Sequence, residues 1–376
     1  MPSFTGIATP YGGLPRRRFR AGTAGTREGR DLSWSAREGQ DMPGLIATML
    51  ARTGAVLLAA LLVTTGCTRP GTEPAEEPAT GSSRAFPRTV THVMGSTEIP
   101  AEPIRIVALD QTFVDAALTL DTAVVGFTDI PSRTGGPPPY LAEPLARLAP
   151  DARSVGDLIN PSLEQIAALE PDLIISAKVR HEAIYDELSR IAPTVFSETT
   201  GPTWKDNLRL LAEATGKESL AQARLAEYEQ RARTIGDAIR ATEGKNPTIT
   251  VIRFSESQTR LYQRASFSGI VLADAGLARP PSQDVNEFAA EFSEERILDA
   301  DADQIFLTVA EGNSAPVRDR FTSNPLWSRL TGEIHEVSND VWIVAVGLLG
   351  AHAVLDDLAK TFGVDAAAPA ASENPR

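Results

Sequence analysis

Two stretches of this chain, about 130 residues apart, carry the same order of polar and apolar residues. The first covers residues 160–175 and the second covers residues 293–306. The same residue type stands at matching offsets in the pairs Ser162/Ser293, Glu164/Glu295, Ile166/Ile297, Asp172/Asp303 and Ile174/Ile305. Such self-similarity predicts two similarly built halves, each with an acidic helix start followed by a buried strand. The alternative is that any amphipathic helix followed by a strand would show this pattern.

The first of these stretches shows why a helix and then a strand are expected. Ser162 suits the N-cap position, and Glu164 in the first turn complements the positive end of the helix. Apolar residues recur at helical spacing until Pro171 ends the helix. Asp172 then opens a short apolar run that is typical of a buried strand.

Strand-like and helix-like segments alternate along most of the chain, which predicts parallel α/β layers. A longer helix is expected over residues 218–242, ending near Gly244. A helix of about 25 residues would be roughly 37 Å long. That length is enough to connect one half of the molecule to the other. We therefore expect an N-terminal α/β lobe over residues 87–202, a helix pair over 203–244 and a C-terminal α/β lobe over 245–364.

An apolar segment near the N-terminus predicts export and a lipid anchor. After Arg52, residues 53–66 are apolar and end in small residues immediately before Cys67. Residues 42–66 resemble a bacterial lipoprotein signal peptide, in which Cys67 becomes the lipidated first residue of the mature protein. Thr64 departs from the usual pattern, in which leucine is commonest at this position. The expected location is therefore the outer face of the cell membrane.

The ends of the chain have the composition of unfolded segments. Residues 1–41 show no periodicity, and we expect the native start to be Met42 or Met49 instead. Residues 67–86 are rich in Pro, Gly, Glu, Thr and Ser, which suits a flexible tether behind the lipidated cysteine. Residues 365–376 likewise lack core residues and suit a disordered tail.

Composition argues against several kinds of site and partner. The formal net charge of −13 argues against a nucleic-acid-binding protein. One cysteine excludes an internal disulfide, and four dispersed histidines argue against a multi-histidine metal site. The sequence also lacks a G-x-S-x-G elbow, a phosphate-binding loop and an H-E-x-x-H motif. The sequence therefore contains none of these catalytic or phosphate-binding motifs and no evident metal site.

Cationic and aromatic residues cluster where predicted strands end, the edge at which open α/β sheets bind ligands. These residues are Lys178 and Arg180 in the first half, and Arg253, Phe254, Arg260, Tyr262, Arg264 and Trp342 in the second. Arginine presents a planar fork of donors and aromatic rings present flat apolar faces, so the set suits a bulky, flat, anionic ligand. The alternative for any single arginine is a solvated surface charge. Tyr140 and Trp204 suit packing better than ligand contact.

Six blocks of the chain resemble ferric-siderophore-binding lipoproteins of bacterial ABC importers. The blocks are residues 89–92 with 104–110, 161–175, 191–196, 204–209, 266–277 and 350–358. The resemblance extends from about Arg88 to Val364, which is nearly the whole predicted folded body. It implies an α/β fold of two similar lobes joined by one long rigid helix. The ligand cleft would lie between the lobes and close only slightly on binding.

The resemblance also implies a function and a set of site residues. Such a protein is a monomer that captures a ferric siderophore and delivers it to the permease dimer of an ABC transporter. One glutamate on each lobe docks onto permease arginines, and Glu164 and Glu295 match those positions. The ligand-binding candidates are Arg180, Arg253, Arg260, Tyr262, Trp342 and Tyr140. The siderophore itself holds the iron, so the resemblance implies a protein without enzyme activity and without a cofactor or metal of its own.

Three alternatives remain open from the residues. A haem or cobalamin receptor would share the fold and differ in its cleft residues. A secreted α/β lipoprotein hydrolase would need a nucleophile and a base at a strand end, where His181 beside Ser176 is the local candidate. An interaction protein would use the two-lobed body as a scaffold. The class of siderophore, whether hydroxamate, catecholate or mixed, also stays open.

Overall fold

The computed structural model describes residues 86–129 and 137–365 of the chain. Its N-terminal part is an antiparallel hairpin followed by a five-stranded parallel sheet. The strands are β1 (Arg88–His92) and β2 (Gly95–Ile99) in the hairpin, then β3 (Ile106–Ala108), β4 (Val124–Phe127), β5 (Arg153–Ser154), β6 (Leu173–Ala177) and β7 (Thr194–Ser197) in the sheet. The sheet order is β5-β4-β3-β6-β7, so its first strand lies in the middle. This sheet and its helices form the N-terminal lobe.

The C-terminal lobe is built on a second five-stranded sheet. Its strands are β8 (Ile249–Phe254), β9 (Arg260–Tyr262), β10 (Ala289–Glu291), β11 (Gln304–Val309) and β12 (Glu333–Glu336). In the order β10-β9-β8-β11-β12, β8, β11 and β12 pair in parallel, whereas β9 pairs antiparallel with both β8 and β10. Apolar runs predict β8 and β11. The sequence does not predict β10 and β12, because β10 is only three residues long and β12 is mostly polar and exposed.

Helices cover the sheets and connect the lobes. The α-helices are α1 (Gln111–Thr119), α2 (Pro139–Leu148), α3 (Leu163–Ala168), α4 (Lys178–His181), α5 (Tyr185–Ser189), α6 (Trp204–Thr215), α7 (Glu218–Glu243), α8 (Phe267–Asp274), α9 (Ala315–Thr322) and α10 (Leu348–Phe362). Short 3₁₀ helices cover Glu182–Ile184, Glu294–Ala300 and Trp327–Arg329, and a π-helical turn covers Asp340–Val344. Within the described residues, the helices are all too short or too polar to cross a lipid bilayer.

The repeated sequence pattern corresponds to a repeated structural unit. In the N-terminal lobe, Asp172 precedes β6 and accepts the backbone N–H of Ile104 and Arg105, both at 2.8 Å. In the C-terminal lobe, Asp303 precedes β11 and accepts the backbone N–H of Thr248 at 2.8 Å. Each carboxylate therefore joins the start of its strand to the start of the neighbouring central strand. The expectation of two similarly built halves is confirmed at this level.

The helices before these strands differ between the lobes. Ser162 caps α3, because its hydroxyl accepts the backbone N–H of Gln165 at 3.2 Å as predicted. The equivalent Ser293 makes no such cap, and the segment after it is a 3₁₀ helix kinked at Arg296. The self-similar sequence therefore specifies the strand and its aspartate more strictly than the type of helix.

The long helix α7 joins the lobes and belongs to a core that both lobes share. It has 26 residues, about 39 Å of helix, and ends at Gly244 in the left-handed conformation. Its buried residues, such as Tyr228 and Ile235, belong to one hydrophobic cluster that includes Ile106 of β3 and Val251 of β8. Both sheets therefore pack onto the same set of central helices.

Close backbone packing between α7 and α8 predicts an effect of a small substitution. Gly236 of α7 has no room for a side chain, because a Cβ atom would overlap the carbonyl oxygen of Ala275 at the end of α8. Gly→Ala within a helix normally stabilises by about 0.5–1 kcal/mol. Overpacking a core costs about 1–3 kcal/mol, and here the obstacle is backbone. We expect Gly236→Ala to lower the free energy of unfolding by about 1–2 kcal/mol, measured by urea denaturation.

A matched variant separates this clash from helix propensity. Thr234→Ala changes an exposed position on the same helix, where the threonine hydroxyl bonds only to Gln230 one turn earlier among the described residues and alanine is the better helix former. Its unfolding free energy should stay within about 0.5 kcal/mol of the wild type. A Gly236→Ala protein as stable as Thr234→Ala would show that α7 and α8 do not pack this closely.

A buried carboxylate joins the N-terminal lobe to α10. Asp115 of α1 is fully buried and accepts the backbone N–H groups of Leu349 and Gly350 at 3.1 and 3.0 Å. These groups belong to the first turn of α10, which would otherwise leave its N–H groups without partners. Burial raises the pKa of the Asp115 carboxyl to about 6, although these hydrogen bonds favour the ionised form. The chain segment before α10 is thereby held against α1.

Candidate ligand-binding site

A cavity of about 710 Å³ lies between the two lobes. Of the residues predicted to contact a ligand, Arg180 contributes to its wall from the N-terminal lobe. The other wall residues from that prediction come from the C-terminal lobe and are Arg253, Arg260, Tyr262 and Trp342. The structure therefore brings together side chains that are up to 162 positions apart in sequence (180 to 342). Tyr140, the remaining predicted contact, is not among the described residues that line the cavity.

On the N-terminal side, the wall is built where β3 and β6 end. Asp110 follows β3 and caps α1, accepting the backbone N–H of Thr112 at 3.0 Å. Arg180 follows β6 on α4, and its Nε donates to the Asp110 carboxylate at 2.9 Å. Since the carboxyl ends of parallel strands share one edge of a sheet, the two side chains meet there. Asp110 is not among the predicted site residues, because an aspartate between a strand and a helix is equally typical of a helix N-cap.

On the C-terminal side, two arginines face the cavity without a carboxylate partner. The Nε of Arg253 donates to Asn339 at 2.9 Å, and Asn339 in turn donates to Glu311 at 2.9 Å. The guanidinium of Arg260 donates to the side-chain oxygen of Gln258 at 2.9 and 2.7 Å. In the part of the chain that the structure describes, neither arginine has a carboxylate within 4.0 Å. Both therefore hold positive charge at the cavity.

Three carboxylates of the described residues also line the cavity, and no local sequence pattern marks them as site residues. They are Asp110, Asp129 and Glu311. Asp129 accepts a hydrogen bond from Ser154, and Glu311 accepts the bond from Asn339. Each of these acids thus has a partner within its own lobe. The wall therefore carries equal numbers of arginines and carboxylates, but Arg253 and Arg260 on the C-terminal side form no ion pair among the described residues.

The aromatic side chains offer less open surface than the sequence suggests. Trp342 is fully buried, stacks on Phe306 at a centroid distance of 4.5 Å, and donates its Nε1–H to Asp357 at 2.9 Å. Tyr262 is 3% exposed and packs edge-on against Phe288. Phe288 is 43% exposed and lines the cavity, although its polar surroundings in sequence give no signal for it. Ligand contact by Trp342 and Tyr262 stays a prediction.

Tyr140 lies behind the cavity wall rather than on it. It lies on α2, which begins at Pro139, where proline suits the first turn of a helix. Gln111 lines the cavity and donates its side-chain N–H to the Tyr140 hydroxyl. Burial raises the pKa of Tyr140 well above its usual value. Direct contact between Tyr140 and a ligand also stays a prediction.

The serine–histidine pair of the hydrolase alternative is formed but buried. The hydroxyl of Ser176 lies 2.7 Å from Nδ1 of His181, whose Nε2 lies 2.8 Å from the carbonyl oxygen of Leu158. Since a carbonyl only accepts, Nε2 carries the proton and Nδ1 accepts from Ser176. Burial lowers the pKa of His181. Both side chains are almost completely shielded, so the pair fastens α4 in place beside Arg180.

The two glutamates predicted to dock onto a permease are solvent-exposed. Glu164 lies in the first turn of α3, and Glu295 lies in the 3₁₀ helix at the equivalent place of the other lobe. A hydrogen bond from Ser293 lowers the pKa of the Glu295 carboxyl. The predicted lipidation site Cys67, the signal peptide and the tether up to residue 85 lie outside the described residues. Among the residues that are described, His, Cys, Asp and Glu form no group of three that could hold a metal.

Comparison with known proteins identifies the family. A family model described as a periplasmic binding protein matches residues 106–332, more than half of the chain. The chain belongs to this family. A periplasmic binding protein binds a solute outside the cytoplasmic membrane and does not transform it, so the predictions of a non-enzymatic, extracytoplasmic binding protein are confirmed.

Individual relatives of this periplasmic binding protein cover most of its length. The probable siderophore-binding lipoprotein YfiY of Bacillus subtilis is 35% identical, over 82% of this chain and 96% of that protein. The Fe(3+) dicitrate-binding periplasmic protein FecB of Escherichia coli is 30% identical, over 74% of this chain and 92% of that protein. The crystal structure of Staphylococcus aureus SirA complexed with staphyloferrin B matches with a TM-score of 0.68 and 28% identity, covering 74% of this chain and 100% of SirA. The predicted two-lobed α/β fold is confirmed.

Proposed function

We propose that this periplasmic binding protein captures a ferric siderophore outside the cell membrane and delivers it to an ABC importer. The observation that carries the proposal is the 710 Å³ cavity between the lobes, with arginines from both lobes in its wall. Ferric siderophores are bulky and rich in anionic oxygens, which guanidinium groups bind well. The names of YfiY and FecB and the staphyloferrin B complex of SirA support the same class of ligand. The iron is cargo that the siderophore coordinates.

We further propose that delivery uses Glu164 and Glu295 as docking residues on a permease dimer. Both carboxylates are exposed, and they occupy equivalent positions on the two lobes. A pair of like charges at related positions suits a partner with two related basic surfaces. The lipidated Cys67 would hold the receptor, as a monomer, at the outer face of the membrane; this part of the proposal rests on the sequence.

Tryptophan fluorescence tests the proposed ligand class. Trp342 stands in the cavity wall, so an occupied cavity should quench its emission. Titration with a panel of ferric siderophores should give saturable quenching by at least one ferric complex and none by its iron-free form. Trp342→Phe should lose most of the quenching while calorimetry still detects binding. Tight binding of haem or cobalamin, together with no response to any ferric siderophore, would falsify the proposal.

A further inference from the structure

Helix α1 of the N-terminal lobe and helix α8 of the C-terminal lobe both begin at the cavity. Gln111 is the first residue of α1 in the N-terminal lobe, and Ser268 is the second residue of α8 in the C-terminal lobe. Both residues line the cavity. The first turn of a helix carries unpaired N–H groups and a partial positive charge, and therefore favours anions. The cavity thus lies between two positive helix ends.

Each of these residues also has a buried polar atom that lacks a hydrogen-bond partner among the described residues. The atoms are Oε1 of Gln111 and Oγ of Ser268, on residues that are 8% and 1% exposed. Buried polar groups in folded proteins are nearly always satisfied, so such an atom in a cavity wall points to a missing partner. Turning the Gln111 amide over would satisfy Oε1 with the Tyr140 hydroxyl and leave Nε2 free instead. In either orientation, one polar atom of the Gln111 amide has no hydrogen-bond partner among the described residues.

The charges around these two residues favour an anionic partner. Arg253 and Arg260 have no carboxylate partner in the described part of the molecule, whereas Asp129 and Glu311 are hydrogen-bonded to Ser154 and Asn339. Arginine and a helix N-terminus both bind ionised oxygens, and a guanidinium fork fits a carboxylate with two bonds. Open aromatic surface is scarce, because Phe288 is the exposed ring among the described wall residues. The wall therefore suits carboxylate oxygens better than stacked aromatic rings.

We propose that Gln111 and Ser268 contact the ligand, one from each lobe, and select ferric siderophores that carry ionised carboxylates. This inference rests on the proposed function and specifies the ligand class within it. Ser268 donates its hydroxyl proton to an ionised oxygen beside the N-terminus of α8. Gln111 fixes the other end of the complex through its amide beside the N-terminus of α1. Arg253 and Arg260, which have no carboxylate partner among the described residues, supply the charge that makes a neutral complex a weaker ligand.

The test adds a negative charge at Ser268. Ser268→Asp places a carboxylate in the first turn of α8, where the helix dipole favours it, so the protein should still fold. Its repulsion of an anionic complex should weaken the binding of ferric citrate at least tenfold. Ser219→Asp is the matched control, since Ser219 is the second residue of α7 and exposed, away from the cavity. The control should bind ferric citrate with wild-type affinity.

Two neutral substitutions keep the proposal testable if Ser268→Asp unfolds in a thermal melt. Ser268→Ala and Gln111→Met remove the polar atoms at nearly constant volume, and each should weaken ferric citrate binding about threefold to tenfold. Wild-type affinity in both variants would overturn the proposal. So would tighter wild-type binding of a ferric tris-hydroxamate or tris-catecholate than of ferric citrate.

These outcomes separate this inference from the proposed function. Binding of a ferric siderophore that is insensitive to substitution of Ser268 and Gln111 would remove only the inference. If the wild-type protein binds none of the three ferric complexes, the proposed function fails together with the ligand class derived from it. Calorimetry on the full lipid-free chain measures all of these affinities under one set of conditions.

Discussion

Replacing Arg253 and Arg260 together with glutamine should weaken ferric-siderophore binding about 100-fold or more. Each guanidinium lines the cavity and has no carboxylate partner in the described residues, so each is available to an anionic ligand. A hydrogen bond to a charged group contributes about 1.5–3 kcal/mol, and two such losses correspond to at least a 100-fold change in Kd. Removing these two leaves no buried carboxylate without its partner. Substitution of Arg180, in contrast, would leave the buried Asp110 carboxylate without its ion-pair partner.

A third arginine of the C-terminal lobe provides the control. Arg264 lies 3.4 Å from Asp284, and both side chains are more than half exposed. Such a surface pair contributes about 0–1 kcal/mol to stability and lies outside the cavity wall. Arg264→Gln should therefore bind ferric siderophore with wild-type affinity in a calorimetric titration. An equal loss in both proteins would show that overall charge, rather than contact in the cavity, controls binding.

Replacing Glu164 and Glu295 together with alanine should abolish siderophore-dependent iron uptake and leave ligand affinity unchanged. Both side chains are exposed on the lobes and absent from the cavity wall. If they dock onto permease arginines, their loss removes the charge complementarity that orients the receptor on the importer. Uptake of ⁵⁵Fe-labelled siderophore by cells and calorimetry on the purified protein measure the two effects separately. Each single substitution should lower uptake less than the pair.

The control again uses one exposed glutamate from each lobe. Glu143 lies on α2 and Glu333 on β12, and both side chains are exposed. Their double alanine variant carries the same change in net charge, so its uptake should match the wild type. Reduced ligand affinity in the Glu164/Glu295 variant would instead assign these residues to binding. Normal uptake in that variant would assign docking to another surface.

The general fold could be predicted because its signals are local. Largely apolar segments of five or six residues specify β6, β8 and β11, and Gly244 ends α7 where its sequence indicates. The matched aspartates Asp172 and Asp303 indicate a duplicated unit, and both hold a neighbouring strand. The start of α2 could not be predicted in this way, because consecutive prolines are typical of both a stiff loop and a helix start.

The candidate site could be predicted only in part, because it depends on contacts between distant residues. Arginines after predicted strands could be found, since strand ends share an edge of the sheet. Burial of Trp342 depends on Phe306 and Asp357, which no local pattern connects to it. The partners that neutralise Arg180 and leave Arg253 charged are likewise set by tertiary packing within each lobe. Which side chains are open to a ligand is therefore a property of the tertiary structure.

The buried cap between Asp115 and the start of α10 has a consequence for transport. Moving the lobes apart at this edge would break two buried hydrogen bonds, so we predict that the unloaded and loaded receptors keep nearly the same outline. An importer that grips both lobes would then bind empty receptors about as well as full ones. Empty copies would act as competitive inhibitors of iron delivery. Overproduction of the receptor at low siderophore concentration would consequently slow uptake instead of accelerating it.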